Sequence, residues 1–388
     1  MSLPAIKPWS AKVVLMALAL GILSGCNSTL KKPEVKPAAL VNLPSNQFSL
    51  RAVFTDGLSS DDDRDPLRLQ PARISSGYLA AGRGGEIARY DLAGNQLWSQ
   101  SIKNPIVSGV AANENLLVVG DRKGRILAYD LAGKLIWKTQ LDSPTLAPAL
   151  LLDQVAIVQL NNGTVTALDL SSGEVRWNFS INIPPFSLRG MASPVELSPN
   201  IVAVAAADGR VHAIRVDLGV PIWARKVAIS SGTNDFNRLV DTDADPIFYN
   251  FNLYTASFQS QLLGIDLRTR QQIFEQALSS TKTPALDNEH IFVVDELGVI
   301  HAYDLQNGNK VWTQRSLIAR GLSNPVVLNN QLIVGDQDGY LHSLNPQNGQ
   351  VNGRERTKGA VLTLTRSGLD LLVQTNKDVI SVWRPQAR

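Results

Sequence analysis

The stretch Leu116–Trp137, LLVVGDRKGRILAYDLAGKLIW, decides the fold. Leu116–Val119 is a short apolar run ending in two β-branched valines, Asp121–Gly124 is a turn, and Ile126–Leu131 reads as a second strand. Ala132-Gly133 makes a second turn, and Lys134–Trp137 leads out to a tryptophan. The pattern is strand, turn, strand, turn, strand, and it recurs along the chain.

Four copies share an aspartate, a glycine three or four residues on, and a tryptophan four residues later: Asp91/Gly94/Trp98, Asp130/Gly133/Trp137, Asp169/Gly173/Trp177 and Asp304/Gly308/Trp312. Three are worn. One keeps Gly209, Gly219 and Trp223 but has Arg215 in the aspartate place; another keeps Asp266 but has Arg270 and Phe274 for glycine and tryptophan. The third keeps Gly339 and Gly349 with Asn345, and has Asn352 in the tryptophan place. A last copy, Leu369–Trp383, shows mainly its strands. Trp98 to Trp137 spans 39 residues, Trp137 to Trp177 spans 40, and Phe274 to Trp312 spans 38. That is the period of a four-stranded sheet repeated radially, so the chain is expected to be an all-β, eight-bladed β-propeller of antiparallel blades.

Each turn glycine supplies a positive φ, and each motif aspartate accepts hydrogen bonds from turn amides. Trp98, Trp137, Trp177, Trp223 and Trp312 are structural anchors between neighbouring blades, each worth about 4–6 kcal/mol gross from roughly 150–250 Å² buried. Gln47–Phe54 has strand character ahead of the first full copy. It is expected to join Val361–Thr365, Leu371–Gln374 and Val379–Trp383 in one composite blade that closes the ring and removes open edges.

Residues 1–25 read as a signal peptide: Lys7 and Lys12 precede Val13–Leu23, an apolar run of 11 residues that is short for a membrane span. Leu23-Ser24-Gly25-Cys26 resembles a bacterial lipobox, and Cys26 is the chain's one cysteine. The resemblance implies cleavage before Cys26, acylation there and firm anchoring; Asn27 next to it is like lipoproteins sent to the outer membrane. The other reading is a buried free cysteine behind an ordinary signal. Removing residues 1–25 leaves 35 basic against 34 acidic residues, which gives no case for nucleic acid. Residues 26–46, rich in Lys, Pro and Ser, read as a flexible tether, and residues 47–388 as the propeller.

Two intervals break the rhythm. Trp177 to Trp223 is 46 residues and Trp223 to Phe274 is 51. The extra residues fall near Ile183–Asn200 and Ser230–Asp245. Insertions in repeat arrays map to loops, often on a binding face, and consecutive ones should be neighbours in space. His212, His301 and His342 recur three residues after a turn glycine in separate repeats, and His290 stands alone, so they read as structural rather than as a metal site. Ser59–Asp65 carries four acidic residues without the spacing of a calcium loop and reads as a solvated loop. Neither a nucleophilic triad nor a phosphate-cradling glycine loop is present, and neither a cofactor nor a metal is expected.

The segment Ala167–Trp177, ALDLSSGEVRW, resembles the PQQ-type propeller repeat. Quinoprotein dehydrogenases share it, but those that oxidise alcohols typically carry an adjacent cysteine pair, impossible with one cysteine. With the lipobox, the tether, SLRG (Ser187–Gly190) and NRLVDTD (Asn237–Asp243), the whole mature chain resembles the BamB family, lipoprotein subunits of the outer-membrane β-barrel assembly machinery. That resemblance implies a non-catalytic periplasmic scaffold. It implies docking on a POTRA domain of BamA, with other Bam subunits and unfolded outer-membrane proteins as further partners. It places the contact on Leu188 and Arg189 in one loop and Asp241 and Asp243 in the next, with Phe186 standing where the family has leucine. Within the chain itself, an Arg189–Asp bridge that staples the two loops is the other reading. A lipid-anchored propeller binding another periplasmic protein or a cell-wall glycan is the alternative function.

Overall fold

The computed structural model describes residues 35–43, 45–61, 67–183, 192–228 and 244–386. Everything below concerns the compact unit Pro37–Arg388. Its described residues form eight antiparallel sheets of four strands each. The eight-bladed propeller expected from the repeat is the fold.

Blade 2 is the organising stretch: Ala111–Ala112, Leu116–Gly120, Arg125–Asp130 and Leu135–Gln140, paired in sequence order. First strands of neighbouring blades touch one another, so they line the axis and the fourth strands form the rim. Blades 1 to 7 begin at Ala72, Ala111, Leu150, Val195, Ile247, Ala285 and Val326. Blade 8 is composite. Val361–Ser367, Asp370–Thr375 and Val379–Pro385 supply three strands, and Leu50–Gly57 pairs antiparallel with Val379–Pro385 as the fourth. The closure predicted from Gln47–Phe54 is present, with the strand lying three residues further along at Leu50–Gly57.

The second strands explain why LLVVG has no polar alternation. Every residue of Leu116–Gly120 is buried. Leu117 and Val119 pack with blade 1, while Leu116 and Val118 pack with blade 3. A sheet covered on both faces favours a continuous apolar run. Eight such interfacial clusters run round the ring, ending with blade 8 against blade 1 through Leu372, Ile380 and Val382 on Tyr78, Ala80 and Tyr90.

The motif residues act as expected. Asp130 Oδ1 accepts from Ala132 N at 2.9 Å and Lys134 N at 2.8 Å. Four motif indoles reach a backbone carbonyl of the next blade through their N–H: Trp98 to Leu131 O (2.9 Å), Trp137 to Leu170 O (2.9 Å), Trp177 to Val216 O (2.7 Å) and Trp312 to Pro346 O (2.8 Å). The ring lies over that blade's turn glycine. At Gly173 (φ 75°) a Cβ would sit 2.5 Å from the Trp137 ring, so conformation and space both require glycine there. Phe274 covers Gly308, and Phe54 covers Gly94, so Phe54 is the aromatic that carries the closing blade onto blade 1. Arg270 keeps the left-handed turn at φ 61° without being glycine.

The worn copy at Asn352 has a physical reason. Blade 8 takes its fourth strand from the N-terminus, so it has no turn between third and fourth strands for a tryptophan of blade 7 to cover. Instead, the amides of Gln47 and Phe48 donate to Asn352 O at 2.7 and 3.3 Å. Residues 37–43 and 45–47, most of them within the segment read as a tether, run as a strap along the rim of blade 7. Arg320 Nη1 donates to Ala38 O (2.9 Å), Arg354 Nη2 donates to Val41 O (3.0 Å), and Ala38 N donates to Ile318 O (3.0 Å).

The seam between blades 8 and 1 is polar at both ends of its strands. Asp370, buried, accepts from Tyr78 Oη at 2.6 Å, lies 2.9 Å from Arg73 and pairs with Arg384. At the other end Arg83 pairs with Asp378 at 2.9 Å, both buried. Burial pushes the Asp370 carboxyl up, but hydrogen bonds from Arg384 and Tyr78 and the charges of Arg384 and Arg73 outweigh it and hold it below the usual aspartate range. Asp378 shifts the other way, because its burial outweighs Arg83. A depressed carboxylate stabilises the fold above its unfolded pKa, about 3.9, and loses that contribution as pH falls through the folded value. Asp370→Asn should therefore lower stability by about 2–4 kcal/mol at pH 7. The gap from the parent protein should close below about pH 4. Urea unfolding of both proteins across pH checks this; a gap that stays constant to pH 2.5 would contradict it.

Candidate partner-binding face

Antiparallel pairing gives the ring two unlike faces. One, the turn face, carries the hairpins between first and second and between third and fourth strands. The other, the loop face, carries the hairpins between second and third strands and all the connections from one blade to the next. Both long insertions are such connections: Ser180 to Val195 joins blades 3 and 4, and Lys226 to Ile247 joins blades 4 and 5. They therefore leave the same face.

Their bases meet. Ser193 N donates to Asp245 Oδ1 at 2.6 Å, joining the end of one insertion to the end of the next across 52 residues of sequence. Asp245 N in turn donates to Thr283 Oγ1 of the following connection at 3.0 Å. Ala192 and Ala244 beside them are buried in the cores on either side, Ala192 with blades 4 and 5 and Ala244 with blades 5 and 6. The spatial neighbourhood predicted from two consecutive irregular intervals is realised at the loop bases. Phe186, Leu188, Arg189, Asp241 and Asp243 lie outside the described residues, as does Cys26.

Asp245 also lines the axial cavity, about 660 Å³, with Arg68, Gln70, Thr283, Asn324 and Thr363 among its walls. The polar groups named here are amides, hydroxyls, one guanidinium and one carboxylate. The histidines are turn-holders, as expected. His212 Nε2 lies 2.9 Å from Asp208, His301 Nε2 lies 3.0 Å from Asp295 and His342 Nε2 lies 2.9 Å from Asp336, each pair within a single blade. His290 pairs with Asp287 at 3.3 Å. In the acidic run after Ser59, Asp61 bridges Arg122 at 3.2 Å; residues 62–66 lie outside the described residues.

Comparison with known proteins agrees with this architecture. A family profile described as "Outer membrane protein assembly factor BamB" matches residues 83–314. The chain belongs to the BamB family. The BamB of Pseudomonas aeruginosa is 36% identical over 344 residues, covering 88% of this chain and 90% of the relative. That of Kangiella koreensis is 35% identical over 314 residues, 80% of each. The crystal structure of BamB from Moraxella catarrhalis superposes with a TM-score of 0.81 at 34% identity, covering 87% of this chain and all of that one. A europium-containing methanol dehydrogenase, 12% identical with a TM-score of 0.68, shares the fold alone.

Sequence reasoning located the two BamB loops but not the tie between them. Ser193 and Asp245 are ordinary residues in stretches without periodicity, and their pairing is a backbone-to-carboxylate contact. Asp245→Ala should free the Ser193 amide, raising its hydrogen exchange about ten- to hundredfold, the worth of a charge-assisted hydrogen bond. Amides in the second strands of blades 1 and 7 should not change. Equal acceleration throughout the ring would mean that Asp245 supports the whole fold rather than the loop bases.

Proposed function

We propose that this chain is a non-catalytic scaffold of the outer-membrane protein assembly complex, held at the periplasmic face of the outer membrane of a Gram-negative bacterium. Residues 1–25 serve as a lipoprotein signal, Cys26 carries the acyl chains, and the following residues form the leash. The two insertions of the loop face dock on a POTRA domain of BamA. Leu188 supplies an apolar anchor and Arg189 a planar, multiply donating cation, a pairing common at the energetic centre of interfaces. Asp241 and Asp243 hold Arg189 or meet a basic partner, and Phe186 packs beside them. The propeller positions the BamA domains and assists folding and insertion of β-barrel proteins.

The observation that carries this reading is the Ser193–Asp245 tie at the bases of two adjacent insertions, in a chain of the BamB family. A single rigid platform presenting both loops suits recognition of one partner domain.

A photo-crosslinker placed in intact cells at Leu188 or Asp243 should yield a band containing BamA, and one at Lys310 on the rim of blade 6 should not. Absence of BamA from both loop positions, with the protein correctly in the outer-membrane fraction, would remove the docking assignment. Separately, Cys26→Ser should move the protein from the membrane to the soluble periplasmic fraction; retention at the membrane would overturn the anchoring.

A further inference from the structure

The two arginines that hold the strap belong to one buried network. Arg320 Nε donates to Asp336 Oδ2 at 2.8 Å and Nη2 to Asp338 Oδ2 at 2.6 Å, which leaves Nη1 for Ala38 O. Asp336 Oδ2 also accepts from His342 Nε2 at 2.9 Å. On the other side of that ring, Arg354 Nε donates to His342 Nδ1 at 3.4 Å, while its Nη2 donates to Val41 O. Polar contacts thus run from the strap through Arg320, Asp336, His342 and Arg354 and back to the strap. Asp336 and His342 are fully buried.

This arrangement fixes the protonation of His342. Its Nε2 faces a carboxylate and carries the proton; its Nδ1 faces an N–H and must be bare. In blade 6 the matching Nδ1, of His301, lies 3.5 Å from the Thr313 hydroxyl, which can donate or accept. In blade 7 a guanidinium stands in that place, and it can only donate. A proton on Nδ1 would set two donors against each other. It would also add a buried positive charge beside two arginines. The charges acting on the ring are those of Asp336, Arg354 and Arg320, with Asp338 beyond Arg320, and Arg356 across the Tyr340 ring at 5.0 Å from its centre. Burial holds the imidazole below the usual histidine range; Asp336 opposes this, and Arg354 and Arg320 add to it. Undocking of the strap lets water reach the ring. A histidine whose pKa is lower docked than released favours release as pH falls below about 6.5, the ordinary value. The docking equilibrium then weakens by about tenfold per pH unit until the docked ring itself titrates.

The strap's other described hydrogen bonds are few. Ala38 N donates to Ile318 O, Asn46 exchanges side-chain hydrogen bonds with the backbone of Arg354, and Gln47 and Phe48 donate to Asn352 O. Leu50–Gly57, in contrast, pairs along its length with Val379–Pro385. The strap covers the rim strand of blade 7. Val351 and Asn352 are buried there, where the matching Gln96-Leu97, Leu135-Ile136 and Lys310-Val311 of other blades are exposed. We propose that the strap is an acid-released latch: protonation of His342 undocks residues 38–47 from blade 7 and uncovers its rim strand, while Leu50–Gly57 keeps the ring closed.

The test uses the chain from residue 26 with Cys26→Ser and a nitroxide on one new cysteine, Leu40→Cys in the strap or Thr55→Cys in the closing strand, both exposed positions. Electron paramagnetic resonance reads label mobility from pH 7.5 to 5. The strap label should pass from immobilised to mobile, and the closing-strand label should not change. His342→Gln, neutral throughout, should abolish the response. His301→Gln and Glu355→Gln should keep it. Glu355 is the control at the strap's end, where burial raises its carboxyl and Oε1 accepts from Asn46 Nδ2 at 3.4 Å. In the parent protein the imidazole NMR signal of His342 should titrate with the midpoint of strap release, a readout that holds whether or not His342→Gln folds. A strap label unchanged down to pH 5 would overturn the proposal. So would a response that survives His342→Gln or is lost in Glu355→Gln, a closing-strand label that loosens with the strap, or release where the His342 signal does not move.

Discussion

The structure depends on one repeated contact: an aromatic ring on the rim strand of one blade, laid over the third-to-fourth-strand turn of the next. The contact is directional. Its indole N–H needs a carbonyl in the next blade, and its face needs a turn without a side chain beneath it. Trp137 on Gly173 and Leu170 O satisfies both conditions at once. Blades 1, 2, 3, 5, 6 and 8 are registered to their successors by such a contact, and the error at any step is confined to one interface. A radial array with such a rule closes only if the last blade also has an aromatic to offer the first. Phe54 provides it from the other end of the chain.

Closure by the N-terminal strand has consequences at both neighbours of blade 8. On the blade 1 side, Phe54 stacks on Tyr90 at 4.9 Å and lies 5.5 Å from Tyr78, and polar networks around Asp370 and Asp378 pin the seam at both faces of the ring. Charges buried there must be fully partnered to be tolerated, which makes this seam more specific than an apolar one and more sensitive to loss of a single partner. On the blade 7 side there is no turn to cover, and Asn352 stands where the other copies have an aromatic. The backbone of the strap fills the place. The same topological fact, a fourth strand borrowed from the N-terminus, thus explains a strengthened seam, a lost tryptophan and a docked leader segment.

These effects differ in how far the sequence announces them. The blades are legible because turn chemistry and ring size repeat, so the evidence for each copy reinforces the others. Phe54 was readable in part: it precedes Gly94 by 40 residues, within the 34 to 42 that separate the other aromatics from the glycines they cover. The two insertions were legible as arithmetic, and their adjacency followed from the ring. The strap was not legible. Arg320 and Arg354 hold it through the carbonyls of Ala38 and Val41, groups every residue has, so its sequence needs no pattern beyond the absence of a competing one. The seam networks escaped for a related reason. Arg73, Asp370 and Arg384 sit in strands whose partners are set by closure, a contact between chain ends that no local spacing encodes.

The two faces of the ring divide the labour. Short hairpins fix the turn face, two or three residues long between first and second strands and four to six between third and fourth, where the aspartate and glycine of most motifs leave little room for variation. The loop face carries the connections between blades, whose length the ring does not constrain, since lengthening a surface connection costs little free energy. Insertions for partner recognition belong there on physical grounds. The strap starts at the loop face, which lets it deliver Leu50–Gly57 in the direction that blade 8 requires: down the rim of blade 7, then back up antiparallel to Val379–Pro385. The two insertions and the start of the strap thus share a face as a consequence of strand direction. The opposite face is left to hold the blades in register.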